Sequence, residues 1–512
     1  MEFDETVDVV VAGSGGGIAG AYTAAREGLS VALLEATDKF GGTTAFSGGG
    51  GMWFPCNAVL RRAGSDDTVE QALSYFHAVV GDRTPRELQE AFVRGGAGLI
   101  DYLEADPEAF EFTALPWPDY FGAVPGARLD GLRHIVSTPF PDARLGPHAG
   151  RVRGPLDNER FGTPAPDLLI GGRALIGRFL AALNRFPDVA VHRNTALVDL
   201  LTDDGRVVGA VADRDGHSVR IGAKRGVLLA AGGFEHDPEM RAAYHVPGRR
   251  EDSMGAPGNT GLTHRAAIRI GAATDLMDQA WWSPGLAHPD GRCAFALWFT
   301  GGIFVNQAGR RFVNESAPYD RIGRVIIAEQ AAGRLDLPFW MIYDDRRGEV
   351  PPVRATNVAL AATEQYRDAG LWRTADTLDE LAAQIGVSAA GLADTVARHN
   401  AMAADGTDPD FGRGDEAYDR ALLQGRPPMV PIDTPPFHAA AFGLSDLGTK
   451  GGLRTDIHAR VRDSAGRPIT GLYAAGNTMA AVSGTTYPGG GNPIGASLLF
   501  SHLAALHMAG GR

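Results

Sequence analysis

Apolar runs and glycine-rich turns alternate near the start of the chain in a pattern that predicts a β-α-β unit. Residues 7–12, VDVVVA, form an apolar run of the kind that is buried on both faces of a parallel sheet. GSGGG follows, and the small-residue stretch IAGAYTAAREG then predicts a helix that closes on Gly28. A second apolar run, LSVALLE, predicts a strand that ends at Glu35. Strand, glycine turn, helix and strand together have the length of one crossover unit.

The same alternation organises the rest of the first half. Helical periodicity extends over 67–105, and a glycine pair opens a predicted helix at 171–183. From about 106 to 170 the periodicity fades and Pro, Gly and Asp become frequent, which predicts a long loop. Strand and turn patterns then alternate up to Ala230-Ala231-Gly232-Gly233, where another strand ends in glycines.

The character of the chain changes near 276 and changes back near 440. Five of the seven tryptophans lie between 277 and 440, together with two predicted helices and a Gly/Asp/Pro-rich stretch at 404–437. After 441 the glycine loops return. We therefore predict an α/β protein in which a Rossmann-like domain, residues 1–276 and 441–512, carries an inserted α+β domain, residues 277–440.

Composition narrows the possible partners. A chain of 512 residues is too long for one ordinary core, and 44% hydrophobic with 21% charged residues is typical of a globular protein. The net charge of −13, with acids and bases interspersed, argues against nucleic acid and against an anionic membrane surface as partners. Glycine is unusually frequent, at 68 residues, which favours loops that bring the backbone close to a ligand.

The cysteines and the apolar segments bear on the compartment. Only Cys56 and Cys293 are present, which predicts neither a disulfide framework nor a metal site, and fits a reducing compartment. The acidic start, MEFDETVDVVVAG, lacks the order of a signal peptide, and the sequence has no apolar run long enough to span a membrane. We expect a cytoplasmic protein.

The glycine turn at 13–20, GSGGGIAG, carries the first chemical signal. A strand, a glycine turn and a helix start place backbone N–H groups and the helix dipole against a pyrophosphate. Gly13 and Gly15 fit one register of the fingerprint, with Ile18 in place of the third glycine; Gly15, Gly17 and Gly20 complete a later one. We prefer the first. Glu35 is twenty residues beyond Gly15, where an acid binds a ribose hydroxyl pair.

Two further glycine segments favour FAD over NAD as the dinucleotide. GGTT (41–44) is expected where a second loop meets the pyrophosphate and the flavin, and GLYAAGN (471–477) predicts an apolar strand that ends at a glycine and a polar residue. In FAD enzymes this last element closes over the ribityl chain. No NAD(P)H site is apparent.

The chain resembles the fumarate reductase/3-ketosteroid dehydrogenase flavoproteins, and within them the 3-ketosteroid Δ1-dehydrogenases. The resemblance extends over nearly the whole length. It depends on the motifs GSGGG, FGGTTAFSGG, PDY, GGRALIGRFLAA, LLAAGG, DQAW, RFVNESAPYD, LSDLGTKGGL, GLYAAGNT and YPGGG. It implies removal of two hydrogens beside the ketone of a steroid or similar polycyclic ketone, with FAD as hydride acceptor. The electrons would then pass to a quinone-type or other acceptor.

The reaction so implied explains the stretch SGTTYPGGGNPIGAS at 483–497. The alpha proton of a plain ketone is too weakly acidic for a side-chain base, so the enolate must be stabilised by preorganised donors. In the family, the tyrosine and glycine of this motif hold the carbonyl, which assigns that role to Tyr487 and Gly491. The matching base is Tyr319, and Tyr120 matches a tyrosine that assists it. Arg321 or Arg324 could lower the pKa of that base.

The resemblance also implies the residues that bind FAD, which we expect to be held non-covalently because FGGTTAFSGG contains no histidine. The predicted helix 493–509 would begin at the flavin, where its dipole stabilises negative charge. The expected cofactor-binding residues are Gly13, Gly15, Gly16, Gly17, Glu35, Gly41, Gly42, Thr43, Thr44, Ser47, Gly48, Val198, Ala231, Gly232, Gly476, Asn477, Gly495, Ser497 and Leu498.

Other readings of the same chain stay open at this stage. A 3-ketosteroid Δ4-dehydrogenase, or a dehydrogenase of another cyclic ketone, is poorly separated by the sequence. A dicarboxylate reductase of the same superfamily would need arginines that clamp carboxylates, and the aromatic insert suits an apolar polycyclic ligand better. A flavin-binding protein without this activity would not need both Tyr319 and Tyr487. The segment 122–165 matches the family poorly and has no predicted role.

Overall fold

The computed structural model describes residues 2–423 and 425–510, which divide into two compact units. Unit 1 comprises Met1–Val246, Gly255–Ala280 and Gly448–Arg512; unit 2 comprises Pro247–Met254 and Trp281–Leu447. Unit 2 thus begins four residues later and ends seven residues later than the insert drawn from the sequence, and it includes a short segment from the first half.

Unit 1 is built around a mostly parallel sheet. Its strands are β1 (Glu5–Ala12), β2 (Val31–Leu34), β3 (Met52–Trp53), β4 (Phe112–Ala114), β5 (His134–Ser137), β6 (Phe140–Pro141), β7 (Leu168–Leu169), β8 (Val189–His192), β9 (Thr195–Asp203), β10 (Arg206–Arg214), β11 (His217–Leu229), β12 (Thr274–Asp275), β20 (Gly452–Leu453), β21 (Arg460–Arg462) and β22 (Pro468–Ala474). The order in the main sheet is β21-β22-β11-β1-β2-β8, with β22, β11, β1, β2 and β8 parallel and β9 and β10 branching antiparallel from β11. The carboxyl ends of β1, β2, β11 and β22 therefore meet along one edge, where such sheets bind ligands.

Helices pack on this sheet, and their buried side chains belong to the same apolar core. They are α1 (Gly17–Arg26), α2 (Gly42–Phe46), α3 (Ala58–Arg62), α4 (Val69–Val80), α5 (Arg86–Glu104), α6 (Leu156–Phe161), α7 (Gly171–Leu183), α8 (Pro238–Ala243), α9 (Leu262–Arg269) and α15 (Asn492–Met508). Helices α1 and α7 are buried along nearly their whole length, so their small residues allow close packing. Among the described residues, no helix is both long and apolar enough to cross a bilayer.

Two predicted stretches differ in detail from the structure. The helical pattern at 67–105 is two helices, α4 and α5, because Gly81 takes a φ of 62° and Pro85 precedes α5. The predicted loop at 106–170 contains β4 to β7 and α6, and β3, β4 and β5 form a small sheet. Short strands of two to four residues leave too little periodicity to be recognised in a sequence.

Unit 2 has its own antiparallel sheet and helices. Its strands are β13 (Ala280–Ala287), β14 (Cys293–Phe299), β15 (Ile303–Val305), β16 (Phe339–Asp344), β17 (Val353–Thr356), β18 (Trp372–Ala375) and β19 (Phe437–Thr449); its helices are α10 (Tyr319–Ala331), α11 (Thr363–Asp368), α12 (Leu378–Ile385), α13 (Ala389–Asp405) and α14 (Ala417–Leu423). The sheet order is β15-β16-β19-β13-β14-β17, with β18 beside β19. Antiparallel strands followed by separate helices give the α+β character expected of the insert.

Candidate active site

The glycine turn after β1 approaches two other parts of unit 1 closely. Gly13 has a φ of 101°, and a Cβ at this position would lie 2.2 Å from Ala230 O at the end of β11. A Cβ at Gly16 would lie 1.5 Å from Ser497 Oγ in α15. Gly15, in contrast, has only ordinary contacts of 3.5 Å or more around its Cβ position. This pattern agrees with the register in which Gly13 makes the tight turn and Gly15 leaves the backbone open to a ligand.

The carboxylate of Glu35 is buried and held at the end of β2. Its Oε2 accepts from Ser14 Oγ at 2.5 Å, and its Oε1 accepts from Thr37 N at 3.0 Å and from Thr37 Oγ1 at 2.8 Å. Ser14 Oγ also accepts from Gly41 N at 2.8 Å. These bonds join the first glycine turn, the acid and the second glycine loop into one polar cluster, which suits the ribose and pyrophosphate of a dinucleotide.

The second glycine loop, at 41–48, is fixed from two sides. Thr43 Oγ1 accepts from Ala256 N and from Asn259 Nδ2, each at 2.9 Å. Ser47 O accepts from Gly172 N at 2.9 Å. A Cβ on Gly171 would lie 2.3 Å from Gly48 O. Thr44 Oγ1 is 3.5 Å from the Cβ position of Gly15, so this loop borders the first turn.

Elements from the end of the chain complete the cluster. Gly232 O accepts from Thr478 Oγ1 at 2.8 Å, which links the glycines after β11 to the Gly476–Thr478 turn after β22. A Cβ at Gly476 would lie 2.6 Å from Ser497 Oγ. The predicted residues Gly16, Gly476 and Ser497 therefore meet, although they are distant in sequence.

The remaining predicted cofactor residues lie around this cluster. Asn477 O is 3.2 Å from His264 Nε2, and a Cβ at Gly495 would lie 3.2 Å from the Phe54 ring. Val198 belongs to β9, and its carbonyl accepts from Arg269 Nη2 at 2.8 Å. Strand β9 is joined to Glu35 by a backbone hydrogen bond, in which Thr195 N donates to Glu35 O at 2.9 Å. Ala231 and Gly42 adjoin the contacts described, Gly17 begins α1, and Leu498 is fully buried in α15.

These residues fit FAD. The N-cap residues of α1 and α15 are Gly16 and Gly491, so no side chain caps the first N–H groups of either helix, which leaves donors for an anionic or carbonyl-bearing ligand. In the glycine turn at 13–17 only Ser14 has a side chain, which donates to Glu35, and Glu35 would supply the acceptor that a ribose requires. The donor set is that of a dinucleotide site.

Gly16→Ala is expected to weaken FAD binding at least about tenfold, because the added methyl group would push α15 away from the glycine turn. The measurement is titration of apoprotein with FAD, followed by quenching of flavin fluorescence. Gly98→Ala in α5 is the matched control, since nothing lies within 4 Å of its Cβ position. Equal FAD affinity of the two variants would contradict the assignment.

The second part of the site is the loop 483–491, which we name the carbonyl loop. Tyr487 is buried, and its ring packs edge-to-face on Tyr120 with centroids 5.2 Å apart. Tyr120 N donates to Pro488 O at 3.0 Å, and a Cβ at Gly490 would lie 3.1 Å from Tyr120 OH. Gly491 has a φ of 82°, and its Cβ position is 2.1 Å from Gly51 O. Only glycine fits there.

Tyr75, which the sequence did not single out, joins the two tyrosine-bearing loops. Its buried hydroxyl donates to Pro488 O and accepts from Phe121 N at 3.2 Å. The Tyr75 hydroxyl thus connects Pro488, which follows Tyr487, with Phe121, which follows Tyr120. The ring faces Arg133, whose Cζ is 5.4 Å from the ring centroid.

A buried ion network supports the Tyr120 loop from behind. Asp119 accepts from Trp53 Nε1 at 2.8 Å, from Arg133 Nη1 at 2.7 Å and from Arg128 N at 2.9 Å. Arg133 also binds Asp67 through Nε at 2.7 Å. Burial raises the pKa of Asp119 to about 6, against the opposing effect of Arg133. The network holds the PDY segment in place before any ligand binds.

Two buried histidines, His134 and His264, border the two parts of the site, and a third, His502, is buried in α15. His134 Nε2 is 3.0 Å from the Cβ position of Gly489, and His264 lies beside Asn477. Burial lowers the pKa of His134 to about 3, and the pKa values of His264 and His502 to about 4. The folded protein keeps all three neutral, whereas the unfolded chain binds protons near pH 6.5.

We therefore expect the free energy of unfolding to fall as the pH falls from 6.5 towards 4. Three histidines favour the unfolded state there, and Asp119, whose folded pKa lies above its unfolded value, opposes them by one proton. For these four groups the difference approaches two protons below about pH 5.5, a slope of about 3 kcal/mol per pH unit, and burial lowers the pKa values of His148, His192 and His399 in the same direction. Urea midpoints at pH 7.5 and 5.0 measure it, and His502→Asn should shrink the difference between them. A midpoint unchanged between the two pH values would contradict the expectation.

Tyr319, the predicted base, lies in unit 2 at the first position of α10. It is buried, its ring meets Phe295 edge-to-face at 4.7 Å, and it borders a pocket lined on its apolar side by Trp298 and Phe299. Arg321 Nη1 binds Glu416 at 2.8 Å, and Arg324 Nε binds Asp320 at 2.9 Å. Both arginines thus carry a carboxylate partner, which reduces the charge either could direct at Tyr319.

Comparison with known proteins identifies the family of the chain. The family model described as an FAD binding domain matches residues 8–494. The 3-oxosteroid 1-dehydrogenase of Mycobacterium tuberculosis is 38% identical over 98% of each chain. A 4-oxocyclohexanecarboxylate 2-dehydrogenase of Sinomonas cyclohexanicum is 35% identical over 99% of this chain and 93% of the relative.

A solved structure is also closely similar. The crystal structure of 3-ketosteroid delta1-dehydrogenase from Sterolibacterium denitrificans, in complex with 1,4-androstadiene-3,17-dione, matches with a TM-score of 0.89 and 32% identity. The match covers 99% of this chain and 100% of that one. The chain belongs to the FAD-binding flavoprotein family that contains the 3-ketosteroid Δ1-dehydrogenases.

Proposed function

We propose that the protein catalyses FAD-dependent 1,2-desaturation of the A ring of 3-ketosteroids. The observation that carries the proposal is the carbonyl loop, in which Tyr487 is buried beside Tyr120 and leads through glycines to the uncapped start of α15 at Gly491. A hydroxyl and a backbone N–H preorganised on one short loop are the donors that an enolate oxygen needs.

Each residue has one role in the proposed reaction. The Tyr487 hydroxyl and the Gly491 N–H bind the C3 carbonyl oxygen and stabilise the negative charge that develops there. Tyr319 takes the proton from C2 as the general base, and Tyr120 has the role of the family tyrosine that assists this base. FAD, held by the glycine turn after β1, Glu35 and the start of α15, would supply the two-electron oxidant that takes the hydrogen of C1 as hydride. C1 and C2 then share the new double bond.

The buried surroundings serve this chemistry. Tyr487 is buried, so a hydrogen bond from its hydroxyl to the developing charge is worth more there than in water. The Asp119–Arg133 network and Tyr75 hold the loops, so little reorganisation is needed when the charge forms.

The first test is the purified protein with 4-androstene-3,17-dione, phenazine methosulfate and a dye. We expect dye reduction and a product two mass units lighter with 1,4-diene absorbance. An FAD-loaded protein that leaves the dye oxidised would overturn the proposal. With 5α-androstane-3,17-dione, a product unsaturated at C1 supports the assignment, and one unsaturated at C4 would identify a Δ4-dehydrogenase.

A monocyclic ketone is the second candidate substrate, since a relative of similar identity is a 4-oxocyclohexanecarboxylate 2-dehydrogenase. The chemistry beside the ketone would be the same, and only the size of the ligand would differ. The assay with 4-oxocyclohexanecarboxylate in place of the steroid separates the two by their kcat/KM values. We expect the steroid to be preferred.

The proposal extends to the electron acceptor and the compartment. We propose a quinone-type acceptor, which is tested by comparing reoxidation of the reduced enzyme by a soluble quinone and by oxygen. Cys56 and Cys293 are free thiols, which supports the proposal that the protein acts in the reducing cytoplasm.

A further inference from the structure

Lys450 is a buried cation at the base of the carbonyl loop. It follows β19, and its side chain is fully buried. Its Nζ donates to Thr486 O at 2.8 Å. Thr486 directly precedes Tyr487, so the ammonium group holds the peptide that carries the proposed oxyanion donor. The main chain of Lys450 is itself tied down, since its N–H donates to Gln279 O at 3.0 Å and its carbonyl accepts from Ala481 N at 3.1 Å.

The turn does not need a charge to satisfy its polar groups. Ser483 Oγ donates to the same Thr486 O at 3.0 Å. Thr486 Oγ1 and Thr486 N both donate to Ser483 O, at 2.8 and 3.1 Å. A neutral residue at 450 would therefore leave the turn hydrogen-bonded. Burying an ammonium group instead carries a large desolvation penalty, which calls for a reason beyond the shape of the turn.

The sign and place of the charge supply that reason. On the proposed function, negative charge develops on the oxygen held by Tyr487 and Gly491. A fixed positive charge in a low-dielectric environment acts on that oxygen over several ångströms with little screening. The neutral ketone of the bound substrate has no such negative charge on its oxygen. Lys450 would therefore stabilise the transition state more than the bound substrate.

We propose that Lys450 is a positioning residue of the carbonyl loop, which fixes the Thr486–Tyr487 peptide and adds positive potential where the enolate charge develops. The inference rests on the proposed function. Two variants separate its parts: Lys450→Gln keeps a neutral donor for Thr486 O, and Lys450→Met removes the donor as well. Ser483→Ala removes the neutral donor to the same oxygen and is the matched control.

The experiment uses FAD-loaded enzyme and two readouts. In steady-state kinetics with 4-androstene-3,17-dione, both Lys450 variants should lose about tenfold or more in kcat, with KM changed less than about threefold. Ser483→Ala, which keeps the lysine, should lose less than either Lys450 variant. In binding titrations, 4-nitrophenol serves as an enolate mimic, and difference absorbance reports its ionised fraction. The preference of the site for phenolate over phenol should fall about tenfold in both variants, which is one pKa unit of the bound probe.

The outcomes are distinct. Lys450→Gln behaving like wild type in both readouts would overturn the role of the charge and leave a structural hydrogen bond. Unchanged kinetics and probe binding in Lys450→Met would overturn the whole inference. The wild-type enzyme could leave the steroid unchanged and still bind phenolate in a way that depends on Lys450. That result would contradict the proposed substrate and support the role of Lys450. Flavin absorbance and the melting temperature check that each variant is folded. If only Lys450→Met is unstable, probe binding by Lys450→Gln decides between the outcomes.

Discussion

Tyr487→Phe is expected to lower kcat for 4-androstene-3,17-dione by about 10²- to 10³-fold, the loss seen when one oxyanion donor is removed. The substitution deletes only the hydroxyl, and the ring can keep its edge-to-face contact with Tyr120. The hydrogen bond to a neutral ketone is worth only about 1 kcal/mol, so substrate affinity should fall about fivefold. Stopped-flow reduction of the flavin measures both quantities.

The control for this variant is another tyrosine of unit 1. Tyr473 OH pairs with His507 Nδ1 at 2.8 Å, and Tyr473→Phe should cost stability and leave flavin reduction unchanged. If Tyr487→Phe reduces its flavin within about threefold of the wild-type rate, Tyr487 is not the oxyanion donor, and the carbonyl-loop assignment fails.

The second large effect is expected at Tyr319. Tyr319→Phe removes the proposed general base, and general-base catalysis contributes about 10²- to 10⁴-fold. We expect a loss near the upper end, since no neighbouring group is assigned to take the C2 proton in its place. Substrate should still bind, because the buried ring and its contact with Phe295 are retained.

Hydrogen exchange separates this role from a defect in hydride transfer. In D2O without an electron acceptor, the wild-type enzyme should exchange deuterium into C2 of the recovered steroid, and Tyr319→Phe should not. Tyr366→Phe in unit 2, whose hydroxyl pairs with His288 Nδ1 at 2.9 Å, is the control and should exchange normally. Wild-type exchange by Tyr319→Phe would move the base elsewhere.

The first β-α-β unit was predictable because its signals are local. A buried strand, a glycine turn, a small-residue helix and an acid at the next strand end each follow from neighbouring residues. The structure has β1, α1 and β2 where these patterns put them. The family, FAD as the cofactor and the α/β class followed from several such signals taken together.

The limits of the local signals are as clear. The α4–α5 break and the short strands between 106 and 170 were missed, since a turn of five residues and strands of two to four carry no measurable period. Tyr75 and Arg133 were also missed, although Asp119 stood beside the predicted Tyr120. Their importance comes from partners far away in the chain, such as Pro488 for Tyr75 and Asp67 for Arg133.

The amino-acid sequence alone was sufficient for the fold class, the family and the strand, turn and helix of the dinucleotide-binding unit. These depend on backbone conformation and on short apolar patterns, which are encoded within a few residues. The tertiary structure decided which of the loops meet: Gly16 with Ser497, Tyr120 with Tyr487 and Lys450 with Thr486. Such contacts arise when burial of the apolar core brings distant segments together, and it is the packing that gives a buried charge or hydroxyl its partner.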